Sequence, residues 1–153
     1  MQLHSSGGGV SIEENKTVVR RVIAESINAN RPDLLGHFVA EDVRVHPGTP
    51  GTAPDTAGLT DVQTASTAIH AAFSDLRVTL DELFGEGELI AARWTATGTH
   101  AQEWAGVPAS DRLVRWSGID IYRFAEGKIA EWWRNDDSMW LFTQLRSEDR
   151  ARR

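Results

Sequence analysis

An α+β fold is predicted, on three grounds. Apolar residues recur at helical spacing through the first half of the chain and alternate through the second. The alternating segments are long and are joined by short glycine-containing turns, the pattern of an antiparallel meander rather than of crossover units. The chain has 153 residues, the size of one ordinary domain, and shows no internal repeat or linker. Three N-terminal helices are therefore expected on one face of a strongly curved, mixed or antiparallel sheet, with a short helix after the last strand. The domain is placed at residues 11–146, between a Ser/Gly-rich lead-in at 1–10 and a charged tail at 147–153.

Ser11-Ile12-Glu13-Glu14 is a capping box, with the Ser11 hydroxyl accepting from the third residue on and Glu14 reaching back. Val18, Val19, Val22, Ile23 and Ile27 then mark the apolar stripe of a first helix over 12–29. Asn30-Arg31-Pro32-Asp33 breaks it and opens a short second helix holding Leu34, Leu35 and Phe38. Val43 to His46 reads as a short strand. The stretch 47–59 is rich in Gly, Pro and Thr and has no periodicity, so it forms a loop of the length that serves as a lid or rim. Thr60 and Gln63 give a second capping signal, ahead of a third helix whose stripe is Val62, Ala65, Ile69, Ala72 and Phe73. From Arg77 the period becomes two. Strands are expected at 77–84, 89–100, 113–124 and 129–135, with hairpin turns at Gly85-Glu86-Gly87-Glu88 and Ala125-Glu126-Gly127-Lys128. A loop spans 102–111, and the terminal helix runs over 138–145.

Composition excludes several classes of function. The net charge of −6 opposes nonspecific nucleic-acid binding and attraction to anionic lipid. Without cysteine there is neither disulfide nor thiolate chemistry. No apolar run reaches the length of a membrane span, and Met1 to Val10 lacks the cationic and apolar blocks of a secretory signal, so a cytoplasmic location is expected. The histidines lack ligand spacings such as H-x-H, so no metal or other cofactor is expected.

The strand faces suggest a cavity. On 113–124 one face carries Val114, Trp116, Gly118, Asp120 and Tyr122. On 92–100 one face carries Trp94 among Ala92, Ala96, Gly98 and His100, small residues that leave room. Asp136 and Asp137 sit where the last strand gives way to a helix, flanked by Trp132, Trp133 and Trp140. A carboxylate held against indole rings is poorly solvated, and its pKa rises toward the range useful for proton transfer. Adjacent residues on a strand face opposite ways, so just one of these two aspartates can enter a cavity, and the other fits as the N-cap of the terminal helix. Alternation alone leaves both choices open. Asp120 could instead pair with Arg93, Arg115 or Arg134, and His37 and His70 read as helix-surface residues.

Phe73-Ser74-Asp75-Leu76-Arg77-Val78, the strand Ala92-Arg93-Trp94-Thr95-Ala96-Thr97-Gly98-Thr99-His100 and the loop Gly106-Val107-Pro108-Ala109-Ser110-Asp111-Arg112 resemble segments of the SnoaL-like polyketide cyclases. Trp116-Ser117-Gly118-Ile119-Asp120-Ile121-Tyr122-Arg123-Phe124 and Gly127-Lys128-Ile129 with Glu131 and Trp133 complete the pattern, which covers Ile12 to Leu145. The resemblance implies a cone-shaped α+β barrel, shared with ketosteroid isomerases, scytalone dehydratases and nuclear transport factor two. It also implies a homo-oligomer, a dimer or tetramer packed through its sheets. In the anthracycline cyclases an aspartate after the last strand is the general acid/base, and counting from Gly127 places it at Asp137. The histidine ending the central strand matches His100. Those cyclases carry a Gln and a His where this chain has Gly118 and Asp120, a departure that bears on the reaction.

These readings combine into a cofactor-free acid–base enzyme acting on a flat aromatic polyketide, with Asp137, Asp120 and His100 as its catalytic candidates. Two carboxylates about 5 Å apart at an effective dielectric near 20 repel by about 3 kcal/mol, roughly two pKa units, so one stays protonated while the other is ionised. Trp94, Trp104, Trp116, Trp133, Tyr122, His46 and Trp140 are the candidates to contact the guest. Ring closure by intramolecular aldol addition is the leading reaction. The resemblance also admits ring hydroxylation with a separate reductase, and the scaffold admits a non-catalytic small-molecule binding module. An epoxide hydrolase would need an Asp–Arg–Asp cluster, for which Arg134 or Arg93 is available.

Overall fold

The computed structural model describes residues 11–47 and 56–147. The lead-in at 1–10, most of the 47–59 loop and the tail beyond Ser147 lie outside the described residues.

The first helix, α1 (Ile12–Arg21), begins with the Ser11 half of the capping box, Glu14 N–H donating to Ser11 Oγ at 3.1 Å. It continues as a π-helical turn, Val22–Ile27, in which Asn28 N–H reaches back to Ile23 O. Helical periodicity predicts a continuous rod here; the widened turn is a local feature that a 3.6-residue stripe does not encode. A 3-10 helix, Pro32–His37, follows, with proline in its first turn where no N–H is needed. The third helix, α2 (Leu59–Ala72), is preceded by Gly58 at φ 100° and has no side-chain cap. Thr60 already lies inside the helix, and Gln63 donates to Pro32 O across to the 3-10 helix. The terminal helix α3 (Ser138–Arg146) is held on the sheet by Gln144, whose amide both accepts from Arg115 N–H and donates to Arg115 O.

Six strands form one mixed sheet: β1 (Val39–Pro47), β2 (Thr56–Ala57), β3 (Phe73–Glu86), β4 (Leu89–His100), β5 (Leu113–Ala125) and β6 (Lys128–Asp136), in the order β2-β1-β6-β5-β4-β3. All neighbours are antiparallel except β1 and β6. β1 and β3 both exceed their predicted lengths, because β1 starts at Val39 along β6 and β3 starts at Phe73 opposite His100. The sheet stays open. The expected barrel is a half-wrapped sheet whose inner face is covered by helices, so no strand pairing closes it. Register shifts between Ser74 and Arg77, Leu80 and Glu82, and Arg123 and Phe124 mark where the strands bend. The β5–β6 turn places both Glu126 and Gly127 at positive φ, the geometry that fits a two-residue hairpin.

The inner face is buried in two clusters. One joins Val19, Val22 and Leu35 to Ile90, Ala92, Tyr122, Ile129 and Trp132. The other joins Phe73, Leu76, Trp94, Val114 and Trp116 to Leu141 and Leu145 of α3. The outer face carries ion pairs, Arg93 with Asp81 and Glu82, and Arg123 with Glu131. Such exposed pairs contribute little to stability. No helix among the described residues is long and apolar enough to cross a membrane.

Gly118 is the tightest point of the inner face. It pairs with Trp94 across β4 and β5, and a Cβ there would lie 2.4 Å from Trp94 Cζ2 and 2.6 Å from Asn135 O. The missing side chain is what lets the indole lie across the strand. Gly118→Ala is expected to lower unfolding free energy by about 1–3 kcal/mol, the usual cost of overpacking, measured by urea denaturation. An unchanged midpoint would show that the Trp94 ring shifts without cost.

Candidate active site

The inner faces of β4, β5 and β6, together with Ile23 and Ile27 of the π-turn and Ile69 of α2, enclose a cavity of about 340 Å³. That volume suits a small organic guest. The predicted wall residues Trp94, Trp104, Trp116 and Tyr122 line it, as does Asp120. The β5–β6 register sets Tyr122 opposite Trp132, Asp120 opposite Arg134 and Gly118 opposite Asp136, all facing inward. Along β6 the three inward side chains grade from buried Trp132 through half-buried Arg134 to exposed Asp136 at the rim.

Asp120 is 3% exposed. Its Oδ2 accepts from Trp132 Nε1–H at 2.9 Å and, more weakly, from Tyr122 OH at 3.4 Å. Its Oδ1 is buried and has no hydrogen-bond partner among the described residues. Trp94 Nε1–H is directed toward the same carboxyl without completing a hydrogen bond, although it still favours the ionised form. Burial pushes the Asp120 carboxyl above its ordinary pKa. The Arg134 charge and the indole N–H groups pull it back, and the Asp136 charge adds to the rise. Burial also lifts the Tyr122 phenol well above its ordinary value, so it stays protonated.

Asp137 is corrected by the structure. Its carboxylate accepts from Trp140 N–H at 3.0 Å as the N-cap of α3, it is exposed, and it borders only a depression on the outer face of the sheet, which Asp136 also touches. Asp136 is the aspartate that enters the cavity, because Trp132, Arg134 and Asp136 share the inward parity of β6. The same parity moves Trp133 outward, where it stacks on His46 at 5.4 Å. His46 therefore leaves the cavity and contacts Glu131 at 2.8 Å, holding that carboxyl below its usual range together with Arg123. Trp140 is 52% exposed on α3 and is not part of this cavity's lining.

His100 is fully buried but stands behind Phe73, stacked on that ring, and does not reach the cavity. Its Nδ1 lies 3.0 Å from the Ser110 hydroxyl and 3.3 Å from Ser110 N. His70, read as a surface residue, lines the cavity instead. Its ring nitrogens lie 2.7 Å from Ser66 O and from Ile27 O of the π-turn, so it is anchored to backbone. Trp132 and Arg134 were not placed in the wall from sequence, and Asp136 was one of two aspartates left open. The signal that could have found them was the run of alternate residues on β6 laid against the Asp120 face of β5. Arg93, the alternative cation, is committed to Asp81 and Glu82 outside.

The profile of the SnoaL-like polyketide cyclases matches residues 17–145. Aklanonic acid methyl ester cyclase DauD of Streptomyces sp. strain C5 is 27% identical over 130 residues, 84% of this chain and 79% of its own length. The crystal structure of wild-type IdmH from Streptomyces antibioticus, a proposed polyketide cyclase, superposes with a TM-score of 0.74 at 27% identity, covering 86% of this chain and 97% of IdmH. AclR from Streptomyces galilaeus, a proposed hydroxylase, superposes with a TM-score of 0.75 at 23% identity, covering 88% of this chain and 97% of AclR.

The raised Asp120 ionisation has a sign that can be tested. Between the ordinary aspartate pKa and the higher folded one, the native state holds more protons than the unfolded chain, so stability falls as pH rises through that window. Asp120→Asn removes this loss. Its Tm relative to wild type is expected to rise between pH 4 and pH 8 in scanning calorimetry, and a difference that stays flat with pH would show that Asp120 ionises normally.

Proposed function

The chain belongs to the SnoaL-like polyketide cyclase family, and we propose that it closes a ring in an anthracycline-type aromatic polyketide by intramolecular aldol addition. The observation that carries this reading is the Asp120 carboxyl, set in the wall of an apolar cavity with one oxygen held by Trp132 and the other unpartnered. Burial favours the protonated form of such a group, which suits it to give a proton to a developing oxyanion. Asp136, opposite Gly118 at the exposed rim, is the proton acceptor. Its carboxylate takes a proton from the carbon between two carbonyl groups of the guest. The enolate carbon attacks a ketone of the same molecule, one C–C bond forms, and Asp120 gives its proton to the developing alkoxide. Solvent at the rim removes the proton from Asp136, and Asp120 is reprotonated. Trp94, Trp104 and Trp116 present ring surface to a flat guest and keep water from the enolate.

The likeness to DauD supports ring closure, since that protein's own substrate is aklanonic acid methyl ester. The likeness to AclR, at 23% identity, is one of fold and adds nothing for hydroxylation. Asp136→Asn is expected to cut kcat for cyclisation of aklanonic acid methyl ester on the order of a hundredfold or more. Asp137→Ser keeps a helix cap and is expected to leave kcat within about twofold. The reverse ranking would return the catalytic role to Asp137.

The same reading includes a second copy of the chain on the outer sheet face. Ile119 and Ile121 are exposed there between Arg93 and Arg123 on one hand and Glu82 and Glu131 on the other, so two copies can match apolar and charged groups by two-fold symmetry. Sedimentation velocity is expected to show a dimer that Ile119→Arg dissociates. A wild-type monomer at micromolar concentration would remove this element.

A further inference from the structure

The two aspartates account for the proton transfers, and the cavity holds a third charged group that they do not use. Arg134 sits opposite Asp120 in the β5–β6 register and lines the cavity, its Cζ 5.2 Å from the Trp132 ring centroid. A guanidinium carries five N–H donors and keeps its charge in a protein. Among the described residues, none of the Arg134 donors completes a hydrogen bond or an ion pair. The contrast with the outer face is plain, where Arg93 meets Asp81 and Glu82, and Arg123 meets Glu131.

Neither cavity acid forms an ion pair with it at contact distance, although its charge acts on the Asp120 carboxyl across the register. Burial favours the uncharged form of Asp120. Asp136 lies one step further out, exposed to water, and accepts from Ser138 Oγ at 3.0 Å. The positive charge is therefore half-buried beside aromatic rings and faces the cavity. A neutral guest filling that space would strip water from the guanidinium and return nothing, a costly arrangement. A guest with an anionic oxygen at one edge would instead meet a planar fork of donors, the pairing in which arginine is strongest.

We infer that Arg134 is the anion anchor of the cavity and that the natural guest is a flat aromatic molecule bearing an ionised phenol oxygen at the edge that meets it. This rests on the cavity being the site for a flat aromatic guest, and goes beyond it by naming the charge that the guest carries.

The test is titration of the protein's tryptophan fluorescence with anthraquinone-2-carboxylate and with its methyl ester at pH 7.5. Wild type is expected to bind the carboxylate about tenfold or more tightly than the ester, the scale of a charge-assisted hydrogen bond. Arg134→Gln is expected to reduce that preference to about twofold or less with ester affinity no lower than in wild type, which also reports that the cavity remains folded. Arg134→Lys, which keeps the charge and loses the fork, is expected to fall between them. Equal binding of the two probes by wild type, or a preference that survives in Arg134→Gln, overturns the inference and leaves the proposed function standing. Binding of neither probe overturns both.

Discussion

A carboxylic acid sealed against two indoles and a phenol is the constraint on which the rest of the site depends. Asp120 is tolerated in an apolar wall because it can be neutral there, and because Trp132 Nε1–H meets one of its oxygens. Trp132 can do this because it is the cross-strand neighbour of Tyr122, two residues along from Asp120, with the two rings 5.0 Å apart. The arrangement needs β5 and β6 in one register. A slip of a single residue would send Asp120 to solvent and bring Ile119 or Ile121 inward, and the acid would then titrate as an ordinary surface group.

The shape of the cavity follows from an exchange of volume across β4 and β5. Trp94 occupies the space over Gly118, so the wall is made by a large ring on one strand and no side chain on the next. At the place where the resemblance expects a polar glutamine, this chain has no room for one. The polar groups are supplied from the other side of the sheet floor, by Arg134 and Asp136 of β6. On the helical side, the π-turn presents Ile23 and Ile27 to the cavity, and His70 takes up the Ile27 carbonyl. A widened helical turn beside a site is a recurrent device. Here it lets apolar side chains line the cavity while the displaced backbone keeps a hydrogen-bond partner.

Much of this was legible residue by residue. The capping box at Ser11, the bounds of β4 and the inward face of β5 follow from local rules of capping and alternation, and those rules operate over a few residues. The long loop at 47–59 was legible as a loop, and most of it lies outside the described residues. The errors cluster at β6. Counting forward from Gly127 by resemblance led to Asp137, whereas parity leaves that residue outside, and the helix start claims its carboxylate as a cap. Trp133 and His46 were drawn to the cavity because aromatic and imidazole groups near an acid suggest a site. Both stand on the opposite face, stacked on each other.

By itself the sequence determined the class of fold, the order of its elements, and the presence of acids among aromatic residues, because periodicity and capping are properties of neighbouring residues. Only the tertiary structure decided which acid meets the cavity, that Asp120 is the one deprived of water, and that Arg134 faces inward with no hydrogen-bond partner among the described residues. Those facts depend on strand register and on helices brought across from distant parts of the chain. Burial and electric field at a side chain come from whatever the fold packs around it, and no local pattern states what that will be.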